Sequence, residues 1–177
     1  MPTSTKYGYT VEVDLKPLEG LVKRLRDLDQ KEIQWGYFED NRYPVSRNTR
    51  SGKPVADIAA KHESGWVGRL GYVPPRPFFT QSLHLAKIVF LENVDLIYKY
   101  AFMGQMRNSM VNLAKELANT IPQTIDAQNF TPLTRQTAQK KGSDKILEET
   151  GKLRNSVQAK LINNNPYGQN KREVVVK

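Results

Sequence analysis

Residues 82–128 read SLHLAKIVFLENVDLIYKYAFMGQMRNSMVNLAKELANTIPQTIDAQ, and the spacing of their apolar positions decides the fold. Leu83, Ala86, Ile88, Leu91, Val94 and Ile97, then Met103, Met106, Met110, Leu113, Leu117, Ile121 and Ile125, follow one another at the intervals of a helix, mostly three or four residues. Gly104 falls between the early and late members, so the stretch predicts two long helices with a bend between them. Pro122 lacks the N–H that an internal helical residue donates, and a break near Thr120 is as compatible with the spacing as one continuous rod.

Working upstream, the prolines of PPRPFF (residues 74–79) fix φ at Pro74, Pro75 and Pro77 and remove backbone donors there. This predicts a stiff extended segment, with Arg76 inside it and Phe78 and Phe79 at its tip. Before it, residues 66–73 carry Gly68 and Gly71 and read as a loop after Gly65. Val55, Ile58, Ala59 and His62 share a helical face, and that helix is expected to stop at Gly65, where a left-handed cap costs glycine little. The run SRNTRSGKP (46–54) is polar and basic without an apolar period, an exposed loop and a candidate contact arm. Residues 31–39 place Ile33, Trp35 and Tyr37 in a strand closed by the turn formers Asp40, Asn41 and Pro44. Residues 7–15 alternate as a half-buried strand, and Pro17 opens a short amphipathic helix through Leu18, Leu21, Val22, Leu25 and Leu28.

Downstream, Pro132 and Thr134 are helix-start signals and Gly142-Ser143 is a break. Val157, Ala159 and Leu161 alternate, Val174 to Val176 favour strand, and NNNPYGQNKR between them predicts a hairpin with a wide loop. The sum is an α+β fold: a small, mostly antiparallel sheet with helices packed on one face, the long helices in the middle of the chain. One domain spanning 1–177 is expected, with a basic loop at 46–54 and a strand region at 157–177.

A chain of 177 residues can bury a core without a metal or disulfide staple. Cysteine is absent and histidine is limited to His62 and His84, so thiol chemistry is excluded and nitrogen ligands for zinc are scarce. No stretch approaches the length of a spanning helix, and MPTSTKYGYT lacks the apolar core of a signal peptide, so synthesis in a cytoplasm without membrane contact is expected. The formal charge is +9, and ten basic residues stand against four acidic ones from Asn129 onward, a bias toward anionic partners. Chemistry is harder to find. His62-Glu63 begins like a zinc-protease motif, but the second histidine would stand where Trp66 is. Gly151-Lys152 is followed by Leu153, not Ser or Thr, so no phosphate loop is present. Glu39-Asp40, Asp144 and Glu148-Glu149 lie beside turn signals, and no serine has a base and an orienting acid that the sequence favours. The aromatics, among them Trp35, Tyr37, Phe38, Trp66 and Tyr72, suit core and interface packing better than stacking on bases. No enzyme activity, cofactor or metal is expected.

The order of segments WGYFED, YP, a basic loop, VADIAAKHESG, PPRPFF, long helices and FTPLTRQTAQKKGSDKILEETGKLRNSV resembles the virion-morphogenesis and tail-completion proteins of tailed bacteriophages. The likeness covers roughly residues 30–160 and departs from the family pattern at Ser64 and around Glu149-Thr150-Gly151. It implies a structural virion component, a ring of six copies at the tail or neck that completes the tail tube and joins it to the head connector. A head-completion ring protein and a basic nucleic-acid-binding module are the alternatives. The implied partners are other copies of the chain, tail-tube and neck proteins, and DNA in the channel. Two sets of contact residues follow as expectations. Pro74, Pro75, Arg76, Pro77, Phe78 and Phe79 would anchor between structural layers, or Phe78 and Phe79 would fill the subunit's own core. Arg47, Arg50, Lys53, Lys140 and Lys141 would face DNA or an acidic neighbouring ring.

Overall fold

A computed structural model of the chain describes residues 3–5, 10–12, 14–45, 52–68, 71–147, 150–163 and 172–176. A short antiparallel hairpin, β1 (Thr3–Thr5) with β2 (Thr10–Glu12), precedes α1 (Lys16–Asp29) and β3 (Lys31–Gly36). Next come α2 (Val55–Ser64) and a second hairpin, β4 (Trp66–Gly68) with β5 (Gly71–Val73). The long helices are α3 (Phe78–Phe102) and α4 (Met106–Asp126), followed by α5 (Arg135–Lys141). A 3-10 turn at Arg154–Ser156 leads into β6 (Gln158–Asn163), and β7 (Arg172–Val176) follows. The fold is α+β.

The helix pair forms as its spacing predicts, and the chain reverses at Gly104, whose φ of +75° is strained for any residue with a Cβ. Helix α4 runs unbroken through Pro122. In the same turns Thr120 and Thr124 are buried, and each hydroxyl donates to a backbone carbonyl, those of Leu117 and Thr120, at 2.7 and 2.9 Å.

The central sheet has the order β3-β6-β7, antiparallel throughout, and its register explains which face is covered. Ile33 pairs with Leu161 and Trp35 with Ala159, which places all four on one side because side chains alternate along a strand. Met110, Ala114 and Leu117 of α4 pack there, and Ala86, Ile97 and Ala101 of α3 close the layer behind them. Glu32 and Gln34 are exposed on the opposite side, where Lys160 Nζ lies 4.3 Å from the Phe38 ring centre. A further cluster gathers at the far end of α4, with Ile121, Ile125, Val55 and Phe78 fully buried beside Tyr43 and Leu153.

Three local expectations change. The strand foreseen at 7–15 is confined to Thr10–Glu12 and pairs with β1, apart from the central sheet, while Leu15 already leads into α1; residues 6–9 and 13 lie outside the described residues. The apolar stripe of α1 is covered only in part: Leu21, Leu25 and Leu28 are half-buried, Leu28 against the core, while Leu18 and Val22 are exposed. Residues 66–68 and 71–73 form a hairpin where glycines suggested a loop, because Trp66, Val67, Tyr72 and Val73 supply β-prone partners across the turn.

Gly65 ends α2 with φ 72° and ψ 164°, a conformation open to glycine almost alone. A Cβ there would lie 2.8 Å from Pro75 N and 2.8 Å from Val73 O, so both dihedral strain and backbone collision oppose any side chain. Gly65→Ala is expected to cost roughly 2–4 kcal/mol of stability in urea unfolding.

Arg154 ties the 3-10 turn to α4 through Nε and Nη2, each 2.6 Å from a carboxylate oxygen of Asp126. The Arg154 guanidinium holds the Asp126 carboxyl below its ordinary range. A lowered carboxyl contributes stability above the ordinary carboxylate pKa and loses it as pH falls through the lowered value. At neutral pH Asp126→Asn should therefore cost at most about 1 kcal/mol, the pair being partly exposed. Thermal unfolding of both forms should converge as the pH is taken below about 4.

Candidate functional site

The segments 62–65 and 74–80, separate in sequence, meet in one place. Helix α3 begins directly after Pro77, which offers no side-chain cap, so its first N–H groups need acceptors from elsewhere. Glu63, in the last turn of α2, supplies them. Its carboxylate accepts from Phe79 N and Thr80 N, both at 2.9 Å, and from Thr80 Oγ1 at 2.6 Å. Negative charge at a helix N-terminus adds a favourable dipole interaction. One residue earlier the His62 carbonyl accepts from Arg76 N at 2.8 Å, while Gly65 allows Val73 and Pro75 to pass within van der Waals reach.

Pro77 converts the incoming chain into a helix start. At φ −79° and ψ 57° it occupies the centre of an inverse γ-turn, closed by Phe78 N donating to Arg76 O at 2.8 Å. The foreseen extended segment therefore ends at Pro77, and the two aromatics form the first turn of α3. Phe78 is 0% exposed and meets the Tyr37 ring edge-on at 6.1 Å, which makes it a core residue of this subunit and removes it as an anchor for a neighbour. Phe79 is half-buried against the same cluster, and Pro75 is the exposed member of residues 74–79. Burial, with Tyr43 and Glu63 nearby, pushes the Tyr37 phenol far up, so it stays neutral.

Beside this junction lies a cleft of about 480 Å³. Trp66, Tyr72, Pro74, Leu133 and Leu147 form much of its wall, with Arg76 among them. The two sets of foreseen contact residues partly converge here, since Lys140 and Lys141 at the end of α5 line the same cleft as Pro74 and Arg76. Helix α5 is held by Thr134, whose hydroxyl accepts from Thr137 N, and by Gly142 in the left-handed conformation. Lys141 Nζ donates to the Lys145 carbonyl. Lys53 is exposed beside the Arg42–Pro54 bridge, while Arg47 and Arg50 lie outside the described residues. So do Glu148 and Glu149.

Among the described residues no group of three or more His, Asp or Glu could hold a metal ion, and no helix is long and apolar enough to cross a membrane. No protein-family model, curated protein or solved structure matches the chain.

Sequence reasoning passed over Glu63 after rejecting a zinc motif there. The signal was an omission: a long helix opening Pro-Phe-Phe-Thr has no Ser, Thr, Asp or Asn at its cap, so an acceptor had to come from another element. Replacing Glu63 by Ala is expected to cost about 2–3 kcal/mol, and by Gln about half as much, in urea denaturation monitored by circular dichroism.

Proposed function

We propose that the chain is a structural subunit of a tailed-bacteriophage particle, assembling with copies of itself as a ring, six-fold by the family resemblance, at the tail or neck. It completes the tail tube there and joins it to the head connector. The observation that carries assembly is the unpartnered apolar surface of α3. Ten large apolar side chains from Leu83 to Met103 are 36% to 58% exposed. Together they present roughly 1,000 Å², against about 800 Å² per partner in a standard protein interface.

A helix with large apolar residues on several faces suits an interior, and much of that surface on α3 is left without a neighbour among the described residues. Its Lys87, Glu92, Asp95 and Lys99 sum to no net charge, so a contact made there adds no net like-charge repulsion of its own between copies of a chain carrying +9. Between α3 and β3 the surface deepens into a groove of about 530 Å³, lined by Leu28, Ile33, Leu83, Phe90, Val94 and Tyr98. The exposed stripe of α1 at Leu18 and Val22 offers a second, different patch, and a ring needs two. The phage assignment itself draws on the segment order, two of whose pieces, His62 to Gly65 and Arg76 to Phe79, are bonded to each other through Glu63 and the His62 carbonyl.

Light scattering of the purified protein is expected to give a multiple of the single-chain mass, and proteomic analysis of purified particles should find the chain in the tail or neck. Phe90→Asp with Tyr98→Asp should return the protein to single chains with an unchanged helical spectrum. A wild-type chain that remains single both alone and with tail-tube protein would refute assembly; a single chain that binds DNA in a salt-sensitive way would point to the nucleic-acid module instead.

A further inference from the structure

Arg76 is 8% exposed, its Nε is buried without a partner, and no hydrogen bond or ion pair to its guanidinium exists among the described residues. Burial pushes its pKa down, with no acid among the described residues to restore it. An uncompensated buried charge is among the most unfavourable things a fold can contain. The Arg76 backbone is fixed by its bonds to His62 and Phe78, and Phe78 is seated in the core, so the Cα from which the guanidinium reaches the cleft is held in place.

We infer that the cleft beside Arg76 is a binding site for a carboxylate carried on an apolar body, with the guanidinium donating to both carboxylate oxygens. A guanidinium presents its donors in a planar fork that matches a carboxylate. Of the Lys and Arg side chains lining the cleft, Arg76 is the buried one, Lys140 being exposed and Lys141 Nζ bonded to the Lys145 carbonyl, so the guanidinium is the group that calls for an anion. Much of the wall, Trp66, Tyr72, Pro74, Leu133 and Leu147, is apolar or aromatic, which suits the body behind the head group. A phosphate dianion, more strongly hydrated than a carboxylate, would lose more hydration against these walls. A nucleic-acid backbone is met by exposed cations spread along a surface, and a single recessed arginine does not provide that. Two sources can supply the head group: a free carboxylic acid, or a Glu or Asp side chain flanked by apolar residues in a partner protein. The cleft and the α3 surface share no residue, so failure of either leaves the other standing.

The test is the melting temperature of the full chain in sodium benzoate, in acetyl-Leu-Glu-Leu-amide, in sodium phosphate and in sodium chloride, all at equal ionic strength. One or both carboxylates should raise it saturably over chloride, by about 3 °C at ten times the dissociation constant. The larger of the two shifts names the source. Arg76→Met should abolish the rise while melting at or above the wild type without added acid, since it removes a buried unpaired charge. If that variant does not fold, Arg76→Lys, which keeps the charge and loses the fork, should bind benzoate at least tenfold more weakly. Absence of a saturable rise with either carboxylate, an equal rise in the variants, a larger rise in phosphate, or an Arg76→Met protein that folds but melts below the wild type would overturn the assignment.

Discussion

Helix α4 has two faces that cannot be left in water, and the architecture is the consequence of covering both. Met110, Ala114 and Leu117 need the sheet, and the sheet needs them, because Ile33, Trp35, Ala159 and Leu161 all project to that side. On its other side α4 takes the small residues of α3, Ala86 and Ala101, which let two long helices approach closely. Small residues at the contact leave the large ones of α3 to point elsewhere. That division turns α3 from an internal helix into a surface one and leaves Leu83, Phe90 and Tyr98 beside an open groove.

The other organising device is electrostatic and short in range. Glu63 joins the end of α2 to the beginning of α3 with three hydrogen bonds, and the His62 carbonyl and Gly65 hold the intervening chain against the same junction. The hairpin β4–β5 is therefore anchored at both ends, with Val67 and Tyr72 held out in solvent. The same anchoring fixes the backbone of Arg76, whose Nε is buried without a partner.

The sequence disclosed the long helices, the bend at Gly104, the strands at 31–36, 158–163 and 172–176, and the antiparallel, one-sided sheet, because each rests on a local period of apolar residues. It disclosed less where an outcome depended on what lay across space. The alternation of residues 7–15 gave no sign that its partner would be Thr3–Thr5, nor did the stripe of α1 show that Leu28 would reach the core while Leu18 and Val22 stayed exposed. Pro122 left break and rod equally open, and packing of Ile121 and Ile125 into the core accompanies the continuous helix. At the candidate site the residues 74–79 and Lys140 with Lys141 were singled out separately. Their meeting in one cleft depends on a chain path from α4 back through α5, which no spacing rule encodes.

The central sheet joins strands from distant parts of the chain: Lys31 reaches Asn163 across 132 residues, whereas α3 and α4 are neighbours through a turn of three. Closing so long a loop costs on the order of 4 kcal/mol in chain entropy before any pairing repays it. Local helical contacts form far faster than such distant strand pairings. The helical hairpin is thus complete while the nascent chain still lacks β6, and during that interval α4 and β3 hold bare the surfaces that the last strands will cover. Synthesis therefore passes through a sticky stage whose length is set by how soon residues 158–163 emerge.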